Sequence, residues 1–156
     1  MQNKKLSALF NTGDNPLSEF TEVQPSPISG LGLFAKVDIP AGTIWWNARH
    51  EDVLIIDKNQ FEVMTCSAES PLMQNMIECI LTYSYYARDI DGLVFCLDDA
   101  RYCNHSSTPN SGGDDPTMPQ FASMAITDIS AGEEILEDYT RYDQCPWAKT
   151  CEKFLF

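Results

Sequence analysis

The first third of the chain alternates short apolar runs with turn residues, a pattern that predicts a series of short β-strands. The apolar runs cover residues 20–23, 33–37, 43–47 and 53–56. Turn-forming residues separate these runs, as expected between strands, and they are Pro25, Pro27, Gly30, Gly32, Pro40 and Gly42. Residues 1–16 are more polar and are predicted to form an N-terminal arm.

The middle of the chain changes to a helical pattern. Asp57 and Gln60 have the spacing of a weak capping box ahead of a short helix over 61–64. Ser70 and Pro71 supply an N-cap and a first helical residue for a second helix. Apolar residues follow at helical spacing, at Leu72, Met73, Met76, Ile77, Ile80 and Leu81. This stripe predicts a helix that packs one face against the core.

Strands return in the last third, where 93–97, 121–127 and 134–139 are predicted strands around a polar loop over 104–119. One short motif occurs twice, as DIPAGT at 38–43 and as DISAGE at 128–133. We interpret it as one tight turn used twice, with glycine supplying a positive φ. Many short strands with a helical insert at about 57–90 predict a β-rich α+β domain.

Composition and charge narrow the function classes. A chain of 156 residues with 44% hydrophobic residues is sufficient for one globular domain. Its 23 acidic and 10 basic residues give a net charge of -13, which disfavours nucleic acid and anionic membranes as direct partners. The same charge suits a cationic partner. No apolar run approaches the roughly 20 residues of a membrane span, and no secretory signal is evident, so a soluble intracellular protein is predicted.

The six cysteines are scattered and form no C-x-x-C pair, so neither a disulfide framework nor a zinc site is predicted. Cys103 and His105 raise the hypothesis of a thiol hydrolase. Two residues apart on an extended chain, their side chains share a face but lie too far apart for direct contact. A nucleophile and its base must be within hydrogen-bond reach, which weakens this hypothesis.

Three further motifs are individually weak. The first is GLG at 30–32, the second NHSSTPN at 104–110, and the third GEEILEDY at 132–139. Alone they are typical of a bend, an ordinary turn and an acidic edge strand. Glycines also allow the backbone to approach a ligand closely. GLG is not a dinucleotide fingerprint, because it has neither a third glycine nor a following helix.

In this order and spacing, the three motifs resemble the SET domain of protein-lysine methyltransferases. The resemblance runs from about residue 23 to 142 and includes SGLGLFA at 29–35 and VFCLD at 94–98. It implies a β-clip-like fold of several small sheets, a helical insert and a C-terminal pseudoknot. On this basis the SET domain spans 17–144, followed by an aromatic tail at 145–156.

The resemblance also implies residue roles. Gly30, Leu31 and Gly32 match the loop that lines the S-adenosyl-L-methionine pocket, and Asn104 and His105 match the pair that holds this cofactor. Tyr139 matches the catalytic tyrosine at the point where the methyl donor meets the lysine. Tyr85 matches a tyrosine near cofactor or lysine, with Tyr83 or Tyr86 as alternatives. Aromatic candidates for the walls of the lysine channel are Tyr86, Tyr102, Tyr142 and Trp147.

The implied activity is transfer of a methyl group to the ε-amine of a lysine in a basic protein, with S-adenosyl-L-homocysteine as product. A catalytically silent SET-like module that binds peptides or proteins is the alternative. A homodimer is also left open. Ser107 stands where members with a zinc-binding tail have cysteine, so no metal is expected. Glu137 stands where some members have an aromatic residue that tunes the number of methyl groups added.

Overall fold

The computed structural model describes residues 7–66, 69–113 and 117–148. They divide into two compact units, one within residues 7–53 and 97–141 and the other within residues 54–96 and 142–148. Within the described part of the chain, no helix is long and apolar enough to cross a membrane.

The described elements are short. The strands are β1 (Thr21–Pro25), β2 (Leu31–Ala35), β3 (Ile44–Asn47), β4 (Val53–Asp57), β5 (Ser84–Ala87), β6 (Gly92–Cys96), β7 (Asn104–His105), β8 (Ser111–Gly112), β9 (Ala122–Ala125) and β10 (Leu136–Glu137). The α-helices are α1 (Leu17–Phe20), α2 (Lys58–Cys66) and α3 (Pro71–Tyr83). Single 3₁₀ turns cover Ser7–Leu9, His50–Asp52, Arg88–Ile90, Asp99–Tyr102 and Tyr139–Arg141.

The first unit contains three small sheets, as the resemblance implied. β1 and β2 form an antiparallel hairpin. β9 lies between β3 and β8, antiparallel to both. β7 and β10 pair in parallel, with Leu136 opposite Asn104 and Glu137 opposite His105. The fold is therefore the β-rich α+β arrangement predicted from the sequence.

The two copies of the repeated turn pair with each other. Ile39 and Ile129 exchange backbone hydrogen bonds of 2.8 and 2.9 Å. The Asp128 carboxylate accepts from the N–H of Ala41 at 2.8 Å, and the Asp38 carboxylate accepts from that of Ala131 at 2.9 Å. Gly42 and Gly132 have φ of 86° and 87°, which favours glycine at both positions. The prediction of one tight turn used twice is confirmed.

The core of the first unit consists of side chains from all three sheets and from the paired turns. Its largest fully buried members are Leu33, Ile39, Trp45, Phe121, Ile129 and Ile135. β3 contributes two buried side chains, Trp45 and Trp46, and β9 contributes three, Ala122, Ser123 and Ala125.

The N-terminal segment is bonded to the first unit from residue 10 onward, although the sequence predicted an arm over 1–16. The ring of Phe10 stacks on Phe121, with centroids 4.8 Å apart. The side-chain amide of Asn15 donates to both Asp52 and Asp98, at 3.0 Å each. These contacts tie the segment to side chains that sequence pattern alone does not connect.

The second unit contains the predicted helical insert together with the sheet β4-β6-β5. The capping box forms and α2 begins at Lys58, so this helix is longer than the predicted 61–64, whereas α3 begins at Pro71 as predicted. The N–H of Asp57 donates to Gln60 Oε1 and the N–H of Gln60 donates to Asp57 Oδ1, both at 2.9 Å. The core of this unit is formed by Ile56, Phe61, Ile77, Ile80, Leu93 and Ala148.

Several boundaries differ from the prediction. The strand predicted over 20–23 begins one residue later, because Phe20 ends α1. Only Leu136–Glu137 is a strand within 134–139, and Tyr139 begins a 3₁₀ turn. The polar loop over 104–119 contains the short strands β7 and β8. These differences arise where hydrogen bonds to distant residues, rather than local pattern, define the element.

Candidate active site

The connection between β1 and β2 carries the first motif. The N–H of Ser26 donates to the carbonyl of Gly30 at 3.0 Å and closes the turn. Gly30 has a φ of 48°, in the left-handed region that favours glycine. Glycine is therefore favoured at position 30 because of its backbone conformation. The turn places Leu31 and Gly32 at the start of β2.

Gly32 is required for a different reason, namely close approach of neighbouring groups. A Cβ at this position would lie 2.9 Å from Cδ of Glu134 and 2.9 Å from Cβ of Ser26. Real Cβ atoms essentially never come this close, so a side chain here would displace one neighbour or the other. The loop thus lies directly against the Glu134 carboxyl group.

Asn104, the first residue of β7, binds this loop through its side-chain amide. Its Nδ2 donates to the carbonyls of Leu31 at 3.1 Å and Ser29 at 3.3 Å, and to Oε1 of Glu134 at 2.8 Å. Carbonyl and carboxylate oxygens only accept, so the amide nitrogen must face the loop. Within the described part of the chain, no group donates to the Asn104 Oδ1 atom.

The loop after Asn104 contacts the third motif from two sides. On one side the N–H of Ser106 donates to the carbonyl of Glu137 at 3.0 Å. On the other, Asn110 donates from Nδ2 to the carbonyl of Glu134 at 2.8 Å and accepts at Oδ1 from the N–H of Leu136 at 2.8 Å. The loop therefore brackets this segment, as expected of the predicted pseudoknot.

Tyr139 follows this bracketed segment and is bonded to both neighbours of Asn104. Its N–H donates to His105 Nδ1 at 3.1 Å, and its hydroxyl donates to the carbonyl of Cys103. The His105 Nδ1 atom is thus used as an acceptor within the site. The phenol is about half exposed, at 49% of its residue surface.

Asp138 precedes Tyr139, lies near His105 and remains ionised. Hydrogen bonds from the hydroxyl and the N–H of Thr140 hold the pKa of Asp138 below its ordinary value. His105 and Arg141 contribute in the same direction when charged. A negative charge beside His105 and Tyr139 is thus a fixed feature of the site near neutral pH.

The geometry does not support the thiol-hydrolase hypothesis. Cys103 is buried and its thiol donates to the carbonyl of Ile135 at 3.2 Å. His105 uses Nδ1 to accept from Tyr139 instead. A nucleophile and its base are therefore not in contact.

Glu137 points into the core of the first unit. Only 6% of its surface is exposed, and its Oε1 accepts from the Ser111 hydroxyl at 3.1 Å. The Ser111 oxygen in turn accepts from the indole N–H of Trp45 at 2.8 Å. Position 137 is thus occupied by a buried carboxyl group with polar partners.

Tyr102 is the predicted channel residue that lies in the first unit. It ends the 3₁₀ turn Asp99–Tyr102 and is half-buried. The guanidinium of Arg101 lies over its ring, 4.9 Å from the centroid, at the distance of a cation–π contact.

The other predicted aromatic residues belong to the second unit and form two groups there. The rings of Tyr85 and Tyr142 lie 5.6 Å apart. The hydroxyl of Tyr86 and the indole N–H of Trp147 both donate to Oδ1 of Asp91, at 2.7 and 2.9 Å. The hydrogen bond to Asp91 raises the pKa of Tyr86 to about 12. The pKa of Asp91 is lowered, and the hydrogen bond from Trp147 is the largest cause.

The second unit holds Tyr85, whereas the first unit brings together the other five cofactor candidates and Tyr139. These residues are Gly30, Leu31, Gly32, Asn104, His105 and Tyr139. The cofactor role of Tyr85 and the channel roles of Tyr86, Tyr102, Tyr142 and Trp147 stay predictions, and most of the aromatic tail predicted over 145–156 lies outside the described residues, which end at 148. In the described ranges, no group of three or more His, Cys, Asp or Glu side chains is arranged to hold a metal ion.

Sequence reasoning missed two groups of this site, the Glu134 carboxylate and the Cys103 carbonyl. Glu134 is one of several acidic residues in its motif and carries no local signal of a contact 30 residues away. The Cys103 carbonyl is a backbone atom, so no side-chain pattern marks it.

The family model for the SET domain matches residues 30–140, which is more than half of the chain. This protein belongs to the SET-domain family. The match begins at Gly30 and ends one residue beyond Tyr139, so it covers all three motifs. The resemblance inferred from them is confirmed, and with it the membership of a methyltransferase family. No curated protein sequence matches the chain significantly.

A solved structure supports the SET fold at low sequence identity. A chain of ctPRC2, in an autoinhibited conformation bound to S-adenosylmethionine, is 21% identical with a TM-score of 0.60. The match covers 86% of this chain and 17% of that one. A Plasmodium falciparum protein described as a candidate histone methyltransferase is 20% identical with a TM-score of 0.48, over 77% of this chain and 92% of that one.

Proposed function

We propose that this SET domain is an S-adenosylmethionine-dependent protein-lysine N-methyltransferase. The observation that carries the proposal is the pair of hydrogen bonds from Tyr139 to Cys103 and His105, on either side of Asn104. One joins the hydroxyl of the predicted catalytic tyrosine to the backbone just before Asn104, and the other joins its backbone N–H to the side chain of His105. A silent binding module has no need of this coupling.

The residues present fit S-adenosylmethionine. The cofactor carries an ammonium group, for which the Asn104 Oδ1 atom is a suitable acceptor. Gly32 brings the loop backbone close to its neighbours without a side chain. Gly30, Leu31, Gly32, Asn104 and His105 would hold the cofactor, which supplies a methyl group on a cationic sulfur.

Tyr139 then serves to orient the acceptor amine. Because its hydroxyl donates its proton to the Cys103 carbonyl, the phenol oxygen can act toward an amine N–H only as an acceptor. The Tyr139 N–H bond to His105 fixes the backbone from which the ring projects. Alignment of two reactants in this way is a large source of rate enhancement.

The acceptor amine must be neutral when it attacks. The pKa of a free lysine is about 10.4, and desolvation among aromatic rings lowers it by disfavouring the charged form. Tyr139 and Tyr102 are the aromatic candidates of the first unit. The half-exposed ring of Tyr139 is reachable by a substrate side chain.

The net charge of -13 supports a lysine in a basic sequence context as substrate. Exposed carboxylates occur before and after the Asn-His motif along the sequence, among them Asp99, Asp128 and Glu133. Attraction by such charges raises the local concentration of a cationic peptide and its rate of association.

A labelled-methyl transfer assay tests the proposal. The purified chain is incubated with labelled S-adenosylmethionine and with basic proteins such as histones and ribosomal proteins, and modified lysines are mapped by mass spectrometry. We expect label on lysine that disappears with Tyr139→Phe. Cofactor binding by calorimetry without transfer to any substrate would instead favour the silent binding module, and absence of cofactor binding would contradict both.

A further inference from the structure

Glu134 contacts both Asn104 and the loop that carries Gly32, although its motif assigns it no role. Its Oε1 accepts from Asn104 Nδ2 at 2.8 Å, the shortest of the three hydrogen bonds of that amide. Its backbone is fixed as well, because its carbonyl accepts from Asn110 at 2.8 Å and it forms a bridge with Phe34. These backbone contacts of Glu134 hold its carboxylate in position to bind Asn104.

The contact determines which way the Asn104 amide faces. Three acceptors surround Nδ2, whereas an amide nitrogen has two N–H bonds to donate. A flipped amide would place Oδ1 against two carbonyl oxygens and a carboxylate, all of which repel it. The carboxylate is the strongest of these acceptors because charge-assisted hydrogen bonds are stronger than neutral ones.

Gly32 shares in the same arrangement. A Cβ at position 32 would lie inside contact distance of the Glu134 carboxyl group. An alanine there would push this carboxyl group away from the Asn104 amide. Gly32 and Glu134, 102 positions apart in the chain, therefore both affect the position of the Asn104 side chain.

We propose that Glu134 is a positioning residue that fixes the Asn104 amide so that its oxygen faces the ammonium group of the cofactor. Gly32 is needed because it leaves space for the Glu134 carboxylate. The part that concerns the cofactor rests on the proposed function, whereas the orientation of the amide is a property of the free protein.

Two measurements on four single variants test the proposal. Calorimetry gives the Kd for S-adenosylmethionine, and the side-chain amide signals of Asn104 in a ¹H–¹⁵N spectrum report its hydrogen bonding without any cofactor. The variants are Glu134→Ala, Glu134→Gln, Gly32→Ala and the control Glu133→Gln. Glu133 is adjacent and acidic, but its carboxylate accepts from Ser130 within its own turn.

We expect Glu134→Ala to shift the Asn104 amide signals and to weaken cofactor binding about tenfold, the loss expected for one charge-assisted hydrogen bond. Glu134→Gln keeps an acceptor oxygen and should stay within about threefold of the wild type. Glu133→Gln should change neither measurement. A residue with only a structural role would alter thermal stability without this rescue by glutamine.

Gly32→Ala and Glu134→Ala should be strongly non-additive, because both remove the same contact. The double variant should bind the cofactor about as well as Gly32→Ala alone. Full additivity, or unchanged Asn104 signals in Glu134→Ala, would overturn the proposal. If the wild type binds no cofactor but the Asn104 signals shift as expected, the orientation stands and the proposed function fails together with the cofactor part.

Discussion

The hydroxyl of Tyr139 donates a hydrogen bond to the backbone carbonyl of Cys103, the residue directly before Asn104. Since the N–H of Tyr139 also donates to His105 Nδ1 at 3.1 Å, the tyrosine is attached on both sides of Asn104. The two bonds place the Tyr139 ring next to the backbone that carries Asn104. The residues proposed to bind the cofactor and to serve methyl transfer therefore share one hydrogen-bonded structure.

Replacement of Tyr139 by phenylalanine keeps the ring and removes the hydroxyl. We expect the single-turnover rate of methyl transfer to fall by about 10²–10³, as for deletion of one preorganised polar group. Cofactor Kd should change little, because the lost group acts mainly in the transition state. Stopped-time methylation assays and calorimetry on the same preparation measure the two quantities. Near-normal methylation by Tyr139→Phe would contradict the assignment of this residue.

Asn104→Ala should have the opposite profile. It removes the amide that binds the loop and offers Oδ1 to the cofactor, so Kd should rise by at least about tenfold. Asn110→Ala is the matched control, since within the described ranges its side-chain amide bonds backbone groups of Glu134 and Leu136. That variant should lose about 1–2 kcal/mol of unfolding free energy. Equal effects of both variants on Kd at equal stability would argue against a cofactor role for Asn104.

Salt should reduce turnover of basic peptides. If exposed carboxylates attract the substrate, kcat/KM falls as ionic strength rises and the Debye length shortens from about 10 Å at 0.1 M to about 3 Å at 1 M. A neutral peptide with the same acceptor lysine provides the control and should show a much weaker salt dependence. Salt-insensitive kcat/KM, or equal use of acidic peptides, would show that the acidic surface does not select the substrate.

Activity should be insensitive to metal chelators. Structural zinc usually takes four Cys or His ligands, and it binds thiolates rather than thiols. Burial raises the pKa of the Cys145 thiol, which disfavours the form that a metal needs. We expect substoichiometric zinc by elemental analysis and unchanged methylation after chelation. Stoichiometric zinc together with activity lost to chelator would overturn this expectation.

The sequence predicted this site well where a motif encodes a local conformation. Gly30 supplies a left-handed φ and Asn104 follows a turn, and both effects depend on a few neighbouring residues. Their order along the chain was sufficient to identify the family. What the motifs do not contain is the identity of partners, such as the Glu134 carboxylate that bonds Asn104 across 30 positions.

Elements with little local signal were missed for the same reason. The parallel strands β7 and β10 are two residues each and exist only because they pair with each other. β5 follows α3 without a turn signal and is defined by its pairing with β6. The apolar pattern also predicts a helix α2 that is too short at both ends, because polar residues such as Lys58 and Asn59 belong to the observed helix. Pattern thus predicts buried faces better than boundaries.

Asp52 should contribute strongly to stability at neutral pH. Burial raises its pKa, but hydrogen bonds from the Arg49 side chain and N–H and from Asn15 outweigh burial and lower it overall. The Arg49 Nη2 atom lies 2.9 Å from Oδ1 of Asp52, whose side chain is nearly buried. Asp52→Asn should therefore cost about 1–3 kcal/mol of unfolding free energy near pH 7. Chemical denaturation of the two proteins measures this difference.

The sign of the pH dependence follows from the lowered pKa. An unfolded aspartate titrates near a pKa of about 3.9, so the stabilisation by Asp52 is complete above that value and is lost as pH falls through the lower folded pKa. The difference between wild type and Asp52→Asn should stay constant from pH 7 to about 5 and shrink in stronger acid. Glu51→Gln is the matched control, because Glu51 forms an exposed pair with Arg49 at 3.4 Å and such pairs contribute little. A difference that grows toward acid pH, or an equal loss in Glu51→Gln, would show that the buried carboxylate is not what stabilises this part of the first unit.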